Sequence, residues 1–231
     1  MLTVFAVESV VFALAALPAV AFWSWHLRWQ LPDWARVPVL ALAFVPAYLL
    51  FALGLMLYSA AAMRLLGWRT AEGVDVPVAS YERPVLNWAR YLVSTHVVRV
   101  FAGAVFRATP VWTLYLRLNG ARIGRGAWVN SLALMDHNLL EIGEGTVVGS
   151  DAHVSGHTVE AGRLRTARVR IGRGVTVGIG TVVEIGAEIG DGAQIGALSV
   201  VPKFARLESG GVYAGAPVHA LREPASRLPE V

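Results

Sequence analysis

A period of six residues runs through the second half of the chain and leaves few folds open to it. Ile171-Gly172, Val177-Gly178, Val183, Ile189-Gly190, Ile195-Gly196 and Val201 stand in unbroken register, and Val175, Thr181, Ala187, Ala193 and Ser199 hold the fifth places. An earlier block reads Ile123-Gly124, Val129 and Met135, then resumes after one extra residue as Ile142-Gly143, Val148-Gly149 and Val154. Six is neither the period of a strand nor that of a helix. It describes a short strand plus a turn, three of which make a triangular coil of about 18 residues in a parallel β-helix. The aliphatic residue of each hexad is expected to point into the prism and stack on its equivalents, with the glycine after it permitting a tight corner. Such short strands bury little alone, so the coils depend on stacking. Fragments such as Gly172 to Gly178 superficially resemble a phosphate loop, but the strict register argues against one.

Between Val154 and Ile171 the register breaks, and the interval falls one short of three hexads. The segment Ser155 to Arg170 holds His157, Glu160, Arg163, Arg165 and Arg168. It is expected to be a polar loop that leaves the prism and returns one coil later. His157, at the root of this excursion, is the strongest candidate for chemistry. A zinc site built from His137, His153 and His157 is chemically sensible. The sixth-place position of His153 in its hexad argues against it, and His137 and His153 read as structural.

The first third of the chain answers to a different solvent. Residues are 55% hydrophobic and 16% charged overall, and the excess apolar character sits before residue 66. No charge interrupts Ser9 to Trp25, and none interrupts the longer run from Val37 to Met63. About 20 helical residues cross a 30 Å hydrocarbon core, so residues 1–66 are expected to form a hairpin of two transmembrane helices. A signal peptide fits poorly, because no Lys or Arg precedes the first run and Glu8 interrupts it. Trp23, Trp25, Trp29 and Trp34 gather at the connection as an aromatic belt. Pro18, Pro38 and Pro46 would bend the spans. Arg64, Arg69, Arg83 and Arg90 follow the second span against Arg28 and Arg36 in the connection, which favours a cytoplasmic C-terminal domain. Residues 67–119 read as an interfacial, amphipathic linker, or equally as a helix packed against the β-helix, with Trp88, Tyr91, Leu92, Val98, Phe101, Val105 and Phe106 among Arg90, Arg99 and Arg107. Residues 120–223 form the β-helix and 224–231 a tail. The chain has no cysteine, which excludes a disulfide framework. Its net charge of +4 has no basic stripe to go with it, so no nucleic-acid partner is expected.

Within this frame the sequence resembles a known family. Gly156-His157-Thr158-Val159 followed by Val169-Arg170-Ile171-Gly172 resembles the loop of maltose and galactoside O-acetyltransferases, members of the hexapeptide-repeat acyltransferases. Gly211-Val212-Tyr213-Ala214-Gly215-Ala216-Pro217-Val218 is similar to their closing segment, with Ala216 in place of the usual Asn. Ser199-Val200-Val201-Pro202-Lys203 looks like another of their motifs, with Pro202 where Thr is common. The resemblance covers about Gly120 to Glu223. It implies a left-handed β-helix and acetyl-CoA as acyl donor. His157 would be the general base and Asp136 a carboxylate contacting base or acceptor. Ala197, Lys203 and Gly215 would line the pantetheine groove, with Arg206 and Arg222 as phosphate contacts. It also implies a homotrimer with sites between neighbouring prisms. The acceptor would be a small molecule or, given the membrane region, a lipid-linked one, and the location a bacterial inner membrane with the β-helix in the cytoplasm. The membrane region joined to Leu118-Asn119-Gly120-Ala121-Arg122-Ile123-Gly124 also looks like the C-terminal region of polylysine-type peptide synthetases. That second likeness implies an alternative, a non-catalytic or peptide-assembly scaffold.

Overall fold

The structure, a computed structural model, describes residues 2–222; the expected tail at 224–231 lies outside the described residues. Two long helices open it, α1 (Leu2–Leu27) and α2 (Asp33–Leu66). Both are long and apolar enough to cross a bilayer by length and composition. They pack side by side, and a Cβ at Gly54 would stand 3.2 Å from the Ala15 Cα, so the glycine lets the two backbones approach. Their outward faces expose Phe5, Leu17, Leu42, Phe44 and Leu57 to solvent or lipid. Gly67, in the left-handed conformation, ends α2.

After a short strand, Asp75–Pro77, come α3 (Arg83–Val98), a π-helical turn at Arg99–Gly103, α4 (Ala104–Phe106) and α5 (Pro110–Leu118). Pro84 and Pro110 occupy first-turn positions, where no backbone donor is lost. Tyr91 of α3 joins Val4, Met63 and Trp68 in one cluster. From α5, the Trp112 indole donates to the Ser131 carbonyl at 3.0 Å. The helices between the hairpin and the repeat therefore touch both.

From Arg122 onward the chain winds as a three-sided parallel solenoid. Ile123, Ile142, Ile171, Ile189 and Leu207 stack on one face. Val129, Val148, Val177, Ile195 and Tyr213 stack on the second. Val154, Val183 and Val201 stack on the third. In the regular coils the paired residues are 18 apart, as in Thr176↔Gln194, Val182↔Val200 and Glu188↔Arg206. The fifth-place residues Val175, Thr181, Ala187, Ala193 and Ser199 are all fully buried. An antiparallel strand, His219–Arg222, covers the last coil.

Three expectations need correction. The glycine following each aliphatic residue does not make the corner. The left-handed residue is at the fourth place, as in Gly174, Gly180, Gly186 and Gly192, where Leu198 and Phe204 also adopt positive φ. Gly178 instead permits contact between coils, since a Cβ there would lie 2.5 Å from the Ala197 amide nitrogen. Second, Met135 does not point inward. Leu134 takes the core position, bridging Val154, because Asp136 turns left-handed (φ 51) and a 3-10 turn at His137–Leu139 absorbs the extra residue. Third, the polar excursion does not skip a coil. Leu140↔Val169, Val147↔Thr176 and His153↔Val182 are each 29 apart instead of 18, so the added length sits within one coil and the chain re-enters at the next corner. The inserted segment is a β-hairpin, His157–Glu160 with Arg163–Thr166, and Asp75–Pro77 adds a third antiparallel strand to it.

Candidate functional site: a buried carboxylate behind His157

The irregular turn and the root of the hairpin meet in space. The Asp136 carboxylate is fully buried, and its Oδ2 lies 2.5 Å from His157 Nδ1. Its other oxygen, Oδ1, accepts a hydrogen bond from the Thr70 hydroxyl at 2.7 Å. With Nδ1 donating to the carboxylate, the neutral imidazole carries its lone pair on Nε2, the nitrogen a general base needs. The ring packs edge-on against Trp88 at 5.1 Å between centroids, and the Ser155 hydroxyl donates to the His157 carbonyl at 2.8 Å. The side chain of His157 keeps 18% of its surface exposed while that of Asp136 keeps none.

Local sequence explains how the two approach. Gly156 lies where a Cβ would stand 2.8 Å from the Leu139 Cβ and 3.1 Å from the Asp136 Cβ. Only glycine lets the root of the hairpin press against the irregular turn. Thr70 is held by Asn138, whose side chain donates to the Thr70 carbonyl at 2.7 Å and accepts from its amide at 3.3 Å. The carboxylate is thus oriented by the segment that leaves the second long helix.

Beside His157 lies a cavity of about 480 Å³ between α3 with its π turn and the first two coils. Leu92, Val93, Val97, Trp112, Leu132, Leu134 and Met135 line it, with Thr95, His96, Arg99 and His153 as polar groups beside His157. His137 also borders it but is committed elsewhere. Its Nε2 donates to the Leu134 carbonyl at 3.1 Å and its ring sits between Tyr91 and Tyr115. Burial drives its pKa down to about 4, so it is neutral. Burial likewise lowers the pKa of His153 and raises those of the Tyr91 and Tyr115 phenols.

The structure brings His157 and Asp136 together and leaves the other sequence candidates apart from them. Ala197 is exposed at a corner, and Lys203 pairs with the Glu160 carboxylate on the hairpin. Arg206 lies 3.5 Å from Glu188, at the end of a ladder running Arg122, Glu141, Arg170, Glu188 along one face. Gly215, at φ 108, donates its amide to the Ser199 hydroxyl at 3.2 Å. Arg222 ends the last strand, and its side chain lies outside the described residues. None of Ala197, Lys203, Arg206 or Gly215 lines the cavity beside His157. Sequence reasoning missed Thr70, Trp88, Asn138 and Ser155. Thr70 stands in no motif and is 66 residues from its partner, whereas Asn138, two residues from Asp136 in a broken repeat, carried a local signal.

No protein-family profile and no curated protein matches the chain. Solved structures similar to part of the chain include acyltransferases of low identity. One, a hexapeptide-repeat acetyltransferase of Vibrio cholerae O1 biovar eltor complexed with acetyl-CoA, is 20% identical with a TM-score of 0.41. That match covers 45% of this chain, which spans only 60% of the other protein's length. A maltose O-acetyltransferase from Clostridium difficile 630 is 17% identical over 67% of this chain and 94% of its own, with a TM-score of 0.43. An N-acyltransferase from Bacillus cereus, in complex with dTDP-4-amino-4,6-dideoxyglucose and CoA, is 13% identical over 50% of this chain and 90% of its own, with a TM-score of 0.34.

Proposed function

We propose that the chain is a membrane-anchored acyltransferase that moves an acyl group, acetyl foremost, from CoA to a hydroxyl or amine. The observation that carries this reading is the His157 Nδ1–Asp136 contact, with Nε2 left for the cavity that His157 lines. In this mechanism the acceptor heteroatom attacks the thioester carbonyl as Nε2 removes its proton. The C–S bond then breaks, and the thiolate leaves with that proton. Asp136 fixes the tautomer and stabilises the imidazolium that forms, the role a buried carboxylate plays behind a catalytic histidine. We further propose a left-handed coil sense, a homotrimer, and a β-helix on the cytoplasmic side of a bacterial inner membrane. The donor groove would take Ala197, Lys203, Gly215, Arg206 and Arg222 and be completed by a neighbouring copy.

The test is equilibrium binding of acetyl-CoA and CoA to detergent-purified protein, paired with thioester consumption in the presence of candidate acceptors. Micromolar binding that survives His157→Ala, with turnover lost, is the expected outcome. A folded protein that binds neither nucleotide sinks the acyltransferase reading. That result would favour the scaffold alternative, which the separation of the donor candidates from His157 within one protomer also supports.

A further inference from the structure

The cavity beside His157 has the wrong walls for a free sugar. A hydrated polyol needs several donors and acceptors around it, whereas seven of the thirteen lining residues are Leu, Val, Trp or Met, and two of the polar ones are committed elsewhere, Thr95 to the Tyr91 carbonyl and His137 to the Leu134 carbonyl. One strong charge interrupts it. Arg99 donates to His96 Nδ1 at 2.7 Å, and among the described residues no carboxylate stands within ion-pair distance of it. The one carboxylate at the site, Asp136, is committed to Thr70 and His157.

The wall helix also climbs the apolar hairpin. Ser94 of α3 donates to Glu8 at 2.5 Å. One turn beyond α3, Phe101 packs edge-on against Phe12 at 5.2 Å, and its carbonyl accepts from the Tyr48 hydroxyl at 2.5 Å. Counted from the tryptophan-marked connection, about 20 residues cross the hydrocarbon core, which puts its other boundary near Glu8. Phe12 and Tyr48 then lie inside it, and so does the half-exposed Phe101 ring that packs on Phe12. The cavity therefore sits where a bilayer meets the solenoid, its apolar wall continuous with side chains at hydrocarbon depth and its arginine near headgroup level. A guanidinium there, with its stem along apolar surface, is a phosphate-binding group.

We infer that the acceptor is an anionic phospholipid or similar phosphate-bearing membrane lipid bound in this cavity. Its tail lies along Leu92, Val97 and Leu132, its phosphate on Arg99, and its terminal hydroxyl or amine at His157 Nε2. This rests on the acyl-transfer reading for the chemical step. The headgroup heteroatom bonds to the acyl carbon as its proton passes to His157, and the CoA thiolate leaves and takes that proton, giving acylated lipid and free CoA.

The test places the full chain in nanodiscs of phosphatidylcholine doped with phosphatidylglycerol that carries a mid-chain diazirine, irradiates them, and maps adducts by mass spectrometry. Adducts are expected on residues 92–99 and 132–135. Leu132→Trp, which fills the cavity, should lower their yield at least fivefold, and Val97→Trp on the opposite wall should do the same. Arg99→Gln should remove the preference for the phosphatidylglycerol probe over a phosphatidylcholine probe of the same chain. Adducts confined to the outward faces of α1 and α2, around Leu42 and Phe44, overturn the site. So does undiminished labelling of both filled variants with native circular dichroism. A labelled cavity in a protein that never consumes acetyl-CoA overturns acyl transfer and leaves the lipid site standing. Turnover with a water-soluble acceptor and no cavity adducts overturns the lipid site alone.

Discussion

Among single residues, an insertion of one places Asp136. The extra residue in the first coil, where Ile123 pairs Ile142 at a spacing of 19, does not fit the triangular path, so Asp136 flips left-handed and its carboxylate meets His157. Replacing Asp136 with Asn keeps the shape and loses the charge that orients the imidazole. Turnover should fall by about 10²–10⁴-fold with acetyl-CoA binding intact, read as thioester loss. Thr70→Val removes one hydrogen bond to that carboxylate, worth about 1–1.5 kcal/mol, and should cost roughly tenfold. In the double variant the Thr70 effect should vanish, since both act through one ring. His137 supplies a pH dependence. Its pKa in the folded protein is about 4, below the ordinary histidine value, because burial disfavours the charged ring. Below that ordinary value the unfolded chain takes up a proton that the folded one refuses. Stability should therefore decline as pH falls through the interval between about 6.5 and 4, by at most about 1.4 kcal/mol per pH unit. A thermal melt series in detergent from pH 7.5 to 4.5 reads this slope, and His137→Phe should flatten it.

Between neighbouring elements, the repeat uses two kinds of glycine for two reasons. Gly174 is left-handed with open space around its missing Cβ, so Gly174→Ala should cost only the strain of the backbone, about 1–2 kcal/mol. Gly178 has ordinary backbone angles but faces the amide of Ala197 in the next coil, so Gly178→Ala must push the coils apart and should lower the melting temperature further. Equal losses would mean that the contact between coils is slack. The hairpin arm is fastened by Thr166, whose hydroxyl donates to the Ala71 carbonyl at 2.6 Å and accepts from the Val74 amide at 2.9 Å. Arg168 adds an ion pair with Glu72 at 2.7 Å. Thr166→Val should speed hydrogen exchange at Val74 and lower turnover, because the same segment carries Thr70.

Across the molecule as a whole, the long helices and the solenoid are joined through the chain between them. Arg64 of α2 donates to the Leu118 carbonyl of α5 at 2.9 Å, and α5 is anchored in turn by Trp112 on Ser131. The outward faces of α1 and α2 expose Leu, Val and Phe side chains, and the proposed membrane anchor would bury them in lipid. The chain should stay in the membrane pellet through an alkaline carbonate wash, and release into the supernatant would refute the anchor. Gly54→Leu would force α1 away from α2 at Ala15 and should loosen the site as well as the hairpin, because α3 leans on both helices.

The solenoid, its inward residues and the two apolar helices were legible before any coordinates, because they are periodic or continuous patterns in which each residue's neighbours in sequence fix its environment. The break at Ser155 to Arg170 was legible too, as a loss of the period, and His157 opens the hairpin found there. Packing settled what happens at the breaks in the pattern. The interval from Val154 to Ile171 matches a skipped coil in length, and the register of Leu140 on Val169 alone shows that none is skipped. Met135 gives way to Leu134 in the core because an irregular turn, not the period, sets the phase there. Thr70 reaches Asp136 across 66 residues, a contact made by packing between elements and therefore invisible to any local spacing.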